Sequence, residues 1–86
     1  MNGAELITAE RHRQVVELRY LSHYDDLHDD GELWRAARCY LVLIPGETEI
    51  PGGWPFVYDA FRPKTRMKNL IRAGAFIAAE IDRLQR

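Results

Sequence analysis

The apolar positions between Thr65 and Arg86 form the clearest periodic pattern in the chain. Met67, Leu70, Gly74, Ile77, Ile81 and Leu84 recur at steps of three and four, which places them on one stripe of an α-helix. Ile71 and Ala78 widen that stripe, while Lys68, Arg72, Asp82 and Arg83 fall mostly away from it. Pro63 bars a helix from running in from upstream, and the Thr65 hydroxyl suits an N-cap, so a helix is predicted over about 65–85. Gly74, in mid-stripe, costs roughly 1 kcal/mol against alanine and fits a place where another element crosses at close range.

Two further helices follow from weaker patterns. Thr8 can cap a helix over about 9–20, with Glu10 in its first turn and few apolar positions (Val15, Val16, Leu18). Its polar face is either solvated or aims Arg11, Arg13 or Gln14 into a site. Asp29 with Glu32 fits a capping box for a helix over about 30–43. Leu33, Ala37, Tyr40 and Ile44 share one stripe of it, with Trp34 and Leu41 beside, and Arg35 and Arg38 facing out. The end, Leu41-Val-Leu-Ile44, is apolar all round and is expected to be deeply buried.

From Pro45 to Arg62 the periodicity stops. This stretch holds three of the four prolines and three of the six glycines, together with Trp54, Phe56, Tyr58 and Phe61. A loop of about 18 residues is unusual in a small domain and tends to be functional. Its rings cannot all stay in water, so it is expected to fold back over the helices. The fold class is therefore mainly α: three helices with a long Pro/Gly/aromatic loop packed over them, in one domain spanning 1–86.

Composition narrows the function classes. The 86 residues, 47% hydrophobic and 10% aromatic, describe an ordinary globule with a thin core, to which self-association would add. Homo-oligomerisation through the C-terminal helix is the expectation. A net charge of −1 gives no global attraction to nucleic acid, which is not expected as a partner. No apolar run approaches a membrane span and no signal-peptide order is present, so a cytoplasmic location is expected. Cys39 is the single cysteine; among apolar neighbours it reads as a buried small hydrophobe rather than a nucleophile.

Two charged constellations remain. His23-Tyr-Asp-Asp-Leu-His-Asp-Asp-Gly-Glu32 offers seven metal-ligating or acid–base groups in ten residues, but at no spacing of a known zinc or calcium site. It can be an acidic helix start, a polar ligand site or a metal site; no bound metal or other cofactor is expected. Arg62-Pro-Lys-Thr-Arg-Met-Lys68 straddles a helix start, where free amides and cations can seat a phosphate, or pair with the acidic block. Nothing marks a nucleophile, and no catalytic residue is assigned.

Several fragments in order carry a resemblance. Glu10-Arg11-x-Arg13-Gln14-Val15, Asp25-Asp26-x-His28-x-x-Gly31-Glu32-Leu33 and Ala36-Ala37-x-Cys39-Tyr40 come first. Trp54-Pro55-Phe56, Arg62-Pro63, Leu70-Ile71-Arg72-Ala73-Gly74-Ala75 and Ala79-Glu80-Ile81 follow. Together they resemble a family of small proteins encoded in tailed phages and prophages, over nearly the whole chain. Leu18-Arg19-Tyr20 replaces that family's Glu-Gly-aromatic step, and Tyr24 stands where a histidine is common. The second departure removes a potential metal ligand. The resemblance brings no defined activity with it. More faintly, the chain is similar to the ryanodine-receptor repeat domain.

The first functional reading is a non-enzymatic binding module for a nucleotide-like signalling ligand of the phage's host. Its candidate ligand-binding residues are Arg11, Arg13, Tyr24, Asp25, Asp26, His28, Trp54, Tyr58, Arg62, Lys64 and Arg66. Rings would stack on a base, carboxylates accept from hydroxyls or amines, and cations take phosphate. The alternatives are a protein-binding inhibitor of a host factor and, last, a metal-dependent nucleotide hydrolase using Asp25, Asp26, His28 and Glu32.

Overall fold

The computed structural model describes residues 1–17, 31–44, 46, 47, 49–56 and 58–85. Among these lie three α-helices and no strand: α1 (Gly3–Glu17), α2 (Glu32–Leu41) and α3 (Arg66–Gln85), with one 3-10 turn at Tyr58–Ala60. The chain is mainly α, as its periodicity predicts. No helix of the described residues is long and apolar enough to cross a membrane.

α3 is the central element, packed against both α1 and α2. Thr65 caps it: the Lys68 N–H donates to the Thr65 hydroxyl at 3.2 Å. Just inside, Asn69 is buried and brackets Lys64, accepting from its N–H at 2.8 Å and donating to its carbonyl at 3.4 Å. These bonds hold the chain as it enters the helix.

The face α3 turns inward is not its stripe of large aliphatics. Asn69, Ala73, Ala75, Phe76 and Ala79 are buried, whereas Met67, Leu70, Ile77, Ile81 and Leu84 are 41–67% exposed. Small side chains let neighbouring helices come close, and Phe76 supplies bulk where α2 and the loop meet α3. Gly74 is the crossing point that the pattern anticipates. A Cβ there would lie 2.6 Å from Ile7 Cδ1 of α1, so any larger residue would require the Ile7 side chain to move.

α1 begins earlier than predicted. Asn2 and Glu5 form a reciprocal capping box, with the Glu5 N–H donating to Asn2 Oδ1 at 2.9 Å and the Asn2 N–H donating to Glu5 Oε1 at 2.8 Å. Thr8 is consequently inside the helix, where its hydroxyl donates to the Ala4 carbonyl rather than capping. The predicted extension over 18–20 lies outside the described residues.

α2 starts at Gly31, which takes a left-handed conformation at φ 83° and makes no side-chain cap bond; Asp29 lies outside the described residues. Leu33, Ala36, Ala37, Cys39 and Tyr40 are buried. The expectation of a deeply buried end is overturned: Leu41, Val42 and Ile44 are 40–62% exposed and only Leu43 goes inward. The helix stops at Leu41, and its carbonyls turn to α3. Arg66 Nη1 donates to the Leu41 carbonyl at 2.8 Å and to that of Leu43 at 3.4 Å.

The connecting segment folds back over the helices, as its aromatic content requires. Phe61 is buried, and Ile50, Trp54 and Phe56 pack on the core formed by α2 and α3. Tyr40 is the hub, with ring centroids 4.9 Å from Phe61, 5.8 Å from Trp54 and 6.2 Å from Phe76. Its hydroxyl accepts from the Arg62 N–H at 3.1 Å, and the Arg72 guanidinium lies over its ring. Each ring contact of this kind is worth about 0.5–1.5 kcal/mol beyond the area it buries, which is how a segment without regular structure becomes ordered.

Candidate functional site

Three surface clefts border the residues singled out by the sequence. The first lies between α1 and α3, about 360 Å³, walled by Leu6, Glu10, Arg13, Lys68 and Arg72. Its cations are largely committed. Arg13 forks onto Glu10 at 2.8 and 2.6 Å, and Arg72 donates to the Arg62 carbonyl. Arg11 pairs with Asp82 at 3.6 Å, tying α1 to α3. Gln14 is 1% exposed and its Oε1 has no hydrogen-bond partner.

The second cleft, about 450 Å³, is formed by residues 49–54 with Tyr58. It brings the predicted Trp54 and Tyr58 together, in unequal states. Trp54 is engaged edge-on with Phe61 at 4.9 Å and Phe56 at 5.5 Å, whereas Tyr58 is 76% exposed. Arg62, Lys64 and Arg66 do not line this cleft. The backbone N–H of Arg62 binds Tyr40 and that of Lys64 binds Asn69, and of the three side chains it is the Arg66 guanidinium that caps α2. Tyr24, Asp25, Asp26 and His28 lie outside the described residues.

The third cleft was not anticipated. It is smaller, about 210 Å³, and is walled by Trp34, Arg35 and Arg38 of α2 and by Gly52 and Gly53. It shares the Gly52–Gly53 turn with the second cleft. Gly53 has φ 91°, a conformation that other residues rarely adopt, so the turn keeps a bare backbone facing the two arginines. Arg38 Nη1 donates to the Gly52 carbonyl at 3.3 Å. Arg35, expected to face out, is half-buried, and its Nε has no hydrogen-bond partner. Trp34 is 52% exposed on the same wall.

Two guanidinium groups thus border this cleft, and one of them holds a buried N–H left without an acceptor, the kind of donor set that an anion could use. Beneath them Cys39 is fully buried, its Sγ near the Pro51 and Gly52 carbonyls at 3.8 and 3.9 Å. Burial pushes its thiol up from the ordinary value, and the charges of Arg38 and Arg35 offset part of the shift. A protonated, enclosed thiol is a packing group and not a nucleophile. The arginines at a step of three on α2, set against a Gly-Gly turn fourteen residues beyond Arg38, are the signal in the sequence; helical spacing alone shows only that both face out from the apolar stripe.

Among the described residues no three His, Cys, Asp or Glu side chains converge as a metal site would require. Compared with known proteins, the chain matches no family model, no curated protein and no solved structure.

Proposed function

We propose that the chain is a non-enzymatic binding module for a small nucleotide-like anion, held at the Gly52–Gly53 turn. The observation that carries this reading is the buried Arg35 Nε without an acceptor, beside Arg38 and the half-exposed ring of Trp34. A phosphate oxygen would accept from Arg35 and Arg38, and a base would stack on Trp34. The adjoining cleft offers Tyr58 as a second exposed ring and Glu49 as an acceptor for hydroxyls or amines. With the resemblance to phage-encoded proteins, the reading extends to a host signalling nucleotide held out of circulation in the cytoplasm, an anti-defence role.

Charge-assisted hydrogen bonds are worth about 1.5–3 kcal/mol each and a stacked base roughly 1–3 kcal/mol, enough together for micromolar affinity when the site is already formed. The test is calorimetry against mono-, di- and cyclic nucleotides. Arg38→Ala is expected to weaken binding by about tenfold or more, and Trp34→Ala by a similar factor. Both residues are exposed, so neither variant should lose its fold. If no nucleotide binds, or if both variants bind like the parent, the reading fails and inhibition of a host protein takes its place.

A further inference from the structure

α3 carries a second surface, unrelated to the clefts at the Gly52–Gly53 turn. Leu70, Ile77 and Leu84 repeat at steps of seven, and Ile81 and Met67 stand beside them. At 100° per residue the five occupy an arc of about 100°, running about 25 Å along the helix, with Ile7 of α1 seated on Gly74 between Met67 and Ile81 at one edge of it. Every one is at least 41% exposed. They present a patch on the order of 500 Å², at the upper end of what a monomer ordinarily leaves open. The charged residue on that arc is Arg66, and its guanidinium is turned aside to the Leu41 and Leu43 carbonyls. The same bonds place the exposed Leu41, Val42 and Ile44 next to the start of α3, extending the apolar surface.

We infer that this face pairs with a second copy of the chain, the two α3 helices running antiparallel with Ile77 near the two-fold axis. Steps of seven present the seam that a like helix fills, each side chain entering between those opposite. Gly74 takes no part, because Ile7 of the same chain occupies its surface. The helix dipoles decide the direction. Lys68 and Arg72 lie on the side of α3 away from the seam, and Arg66 is turned to the α2 carbonyls, so none of these cations sits in the contact. A parallel pair would set the like ends of two helix dipoles side by side; an antiparallel pair opposes them. Leu70 then meets Leu84 of the second copy, and the apolar end of α2 flanks that contact. Two such patches remove about 1,000 Å² or more from water, the lower bound for a specific interface. The contact is isologous and closes at two.

The test is sedimentation velocity across roughly 1 to 100 µM. The parent is expected to form a dimer, and Ile77→Lys and Leu84→Lys to be monomers with the parent's helical circular dichroism. Leu84 is two-thirds exposed, so Leu84→Lys serves if Ile77→Lys does not fold. Direction is read by mild oxidation of Leu70→Cys mixed with Leu84→Cys. The mixed disulfide is expected; a Leu70→Cys homodimer in its place overturns the antiparallel arrangement. A parent that is monomeric throughout, or dimers that survive both lysines, overturns the interface. A monomer that co-sediments with anionic lipid vesicles reassigns the face to a membrane surface.

Discussion

At Gly74 the cost of a missing side chain and the demand of packing meet in one residue. Alanine would gain roughly 1 kcal/mol of helix propensity, yet its Cβ would sit 2.6 Å from Ile7 Cδ1 and 2.9 Å from Ile7 Cγ1. Overpacking typically costs about 1–3 kcal/mol, so the clash wins or cancels the gain. Gly74→Leu is therefore expected to lower the urea-unfolding free energy by about 2 kcal/mol or more. In an Ile7→Ala background, Gly74→Ala should change sign and stabilise by about 1 kcal/mol. Equal effects of Gly74→Ala in both backgrounds would show that Ile7 is not what the glycine makes room for.

At the scale of elements, ends decide more than middles. α3 is positioned by Thr65, Asn69 and Arg66, each linking a backbone group of one segment to a side chain of another. Asn69 has the strongest claim, since it is buried with its acceptor and its donor both used on Lys64. Asn69→Ala leaves the Lys64 N–H without that acceptor and is expected to cost about 1–3 kcal/mol. Asn69→Asp keeps the acceptor and puts a carboxylate in the first turn, where the helix dipole favours it, so it should recover part of the loss. Chemical denaturation of the two variants decides this; an alanine variant as stable as the parent removes the role. Trp54 belongs to the aromatic core, so Trp54→Ala would disturb folding and is a poor control for ligand binding.

For the whole molecule, the core is one cluster reaching from α2 through the loop to α3, and Cys39 lies fully buried within it. Reagents reach such a thiol only through a broad opening of the structure. Its labelling by a disulfide reagent at pH 7 should be slow and should accelerate with urea in step with global unfolding. Fast labelling of the native protein would show that the loop opens by itself. The raised thiol also ties stability to pH. Its contribution is fully present below the thiol's ordinary value and is lost as pH rises through the higher folded value. Thermal stability should decline in alkali, and less so in Cys39→Ala.

The chain's pattern determines by itself the mainly α class, the start of α3 at Pro63 and Thr65, the close crossing at Gly74 and the inward folding of the aromatic loop. Each follows from local chemistry: a ring that bars a helix, a hydroxyl that caps one, a missing Cβ, apolar area that must leave water. The capping box at Asn2 and Glu5 is also written in the sequence, although the expected cap is Thr8, six residues further on. Tertiary structure decided which of two apolar faces of α3 turns inward. Periodicity locates a stripe but does not rank small residues against large, and here close packing selects alanines and leaves the aliphatics outside. It also decided what each cation does. Arg66 spends its guanidinium on the carbonyls of α2, while Arg35 and Arg38 meet a Gly-Gly turn fourteen or more residues away. Spacing along one helix shows which residues share a face, but the partner that gives the face its chemistry arrives only when the loop folds over it.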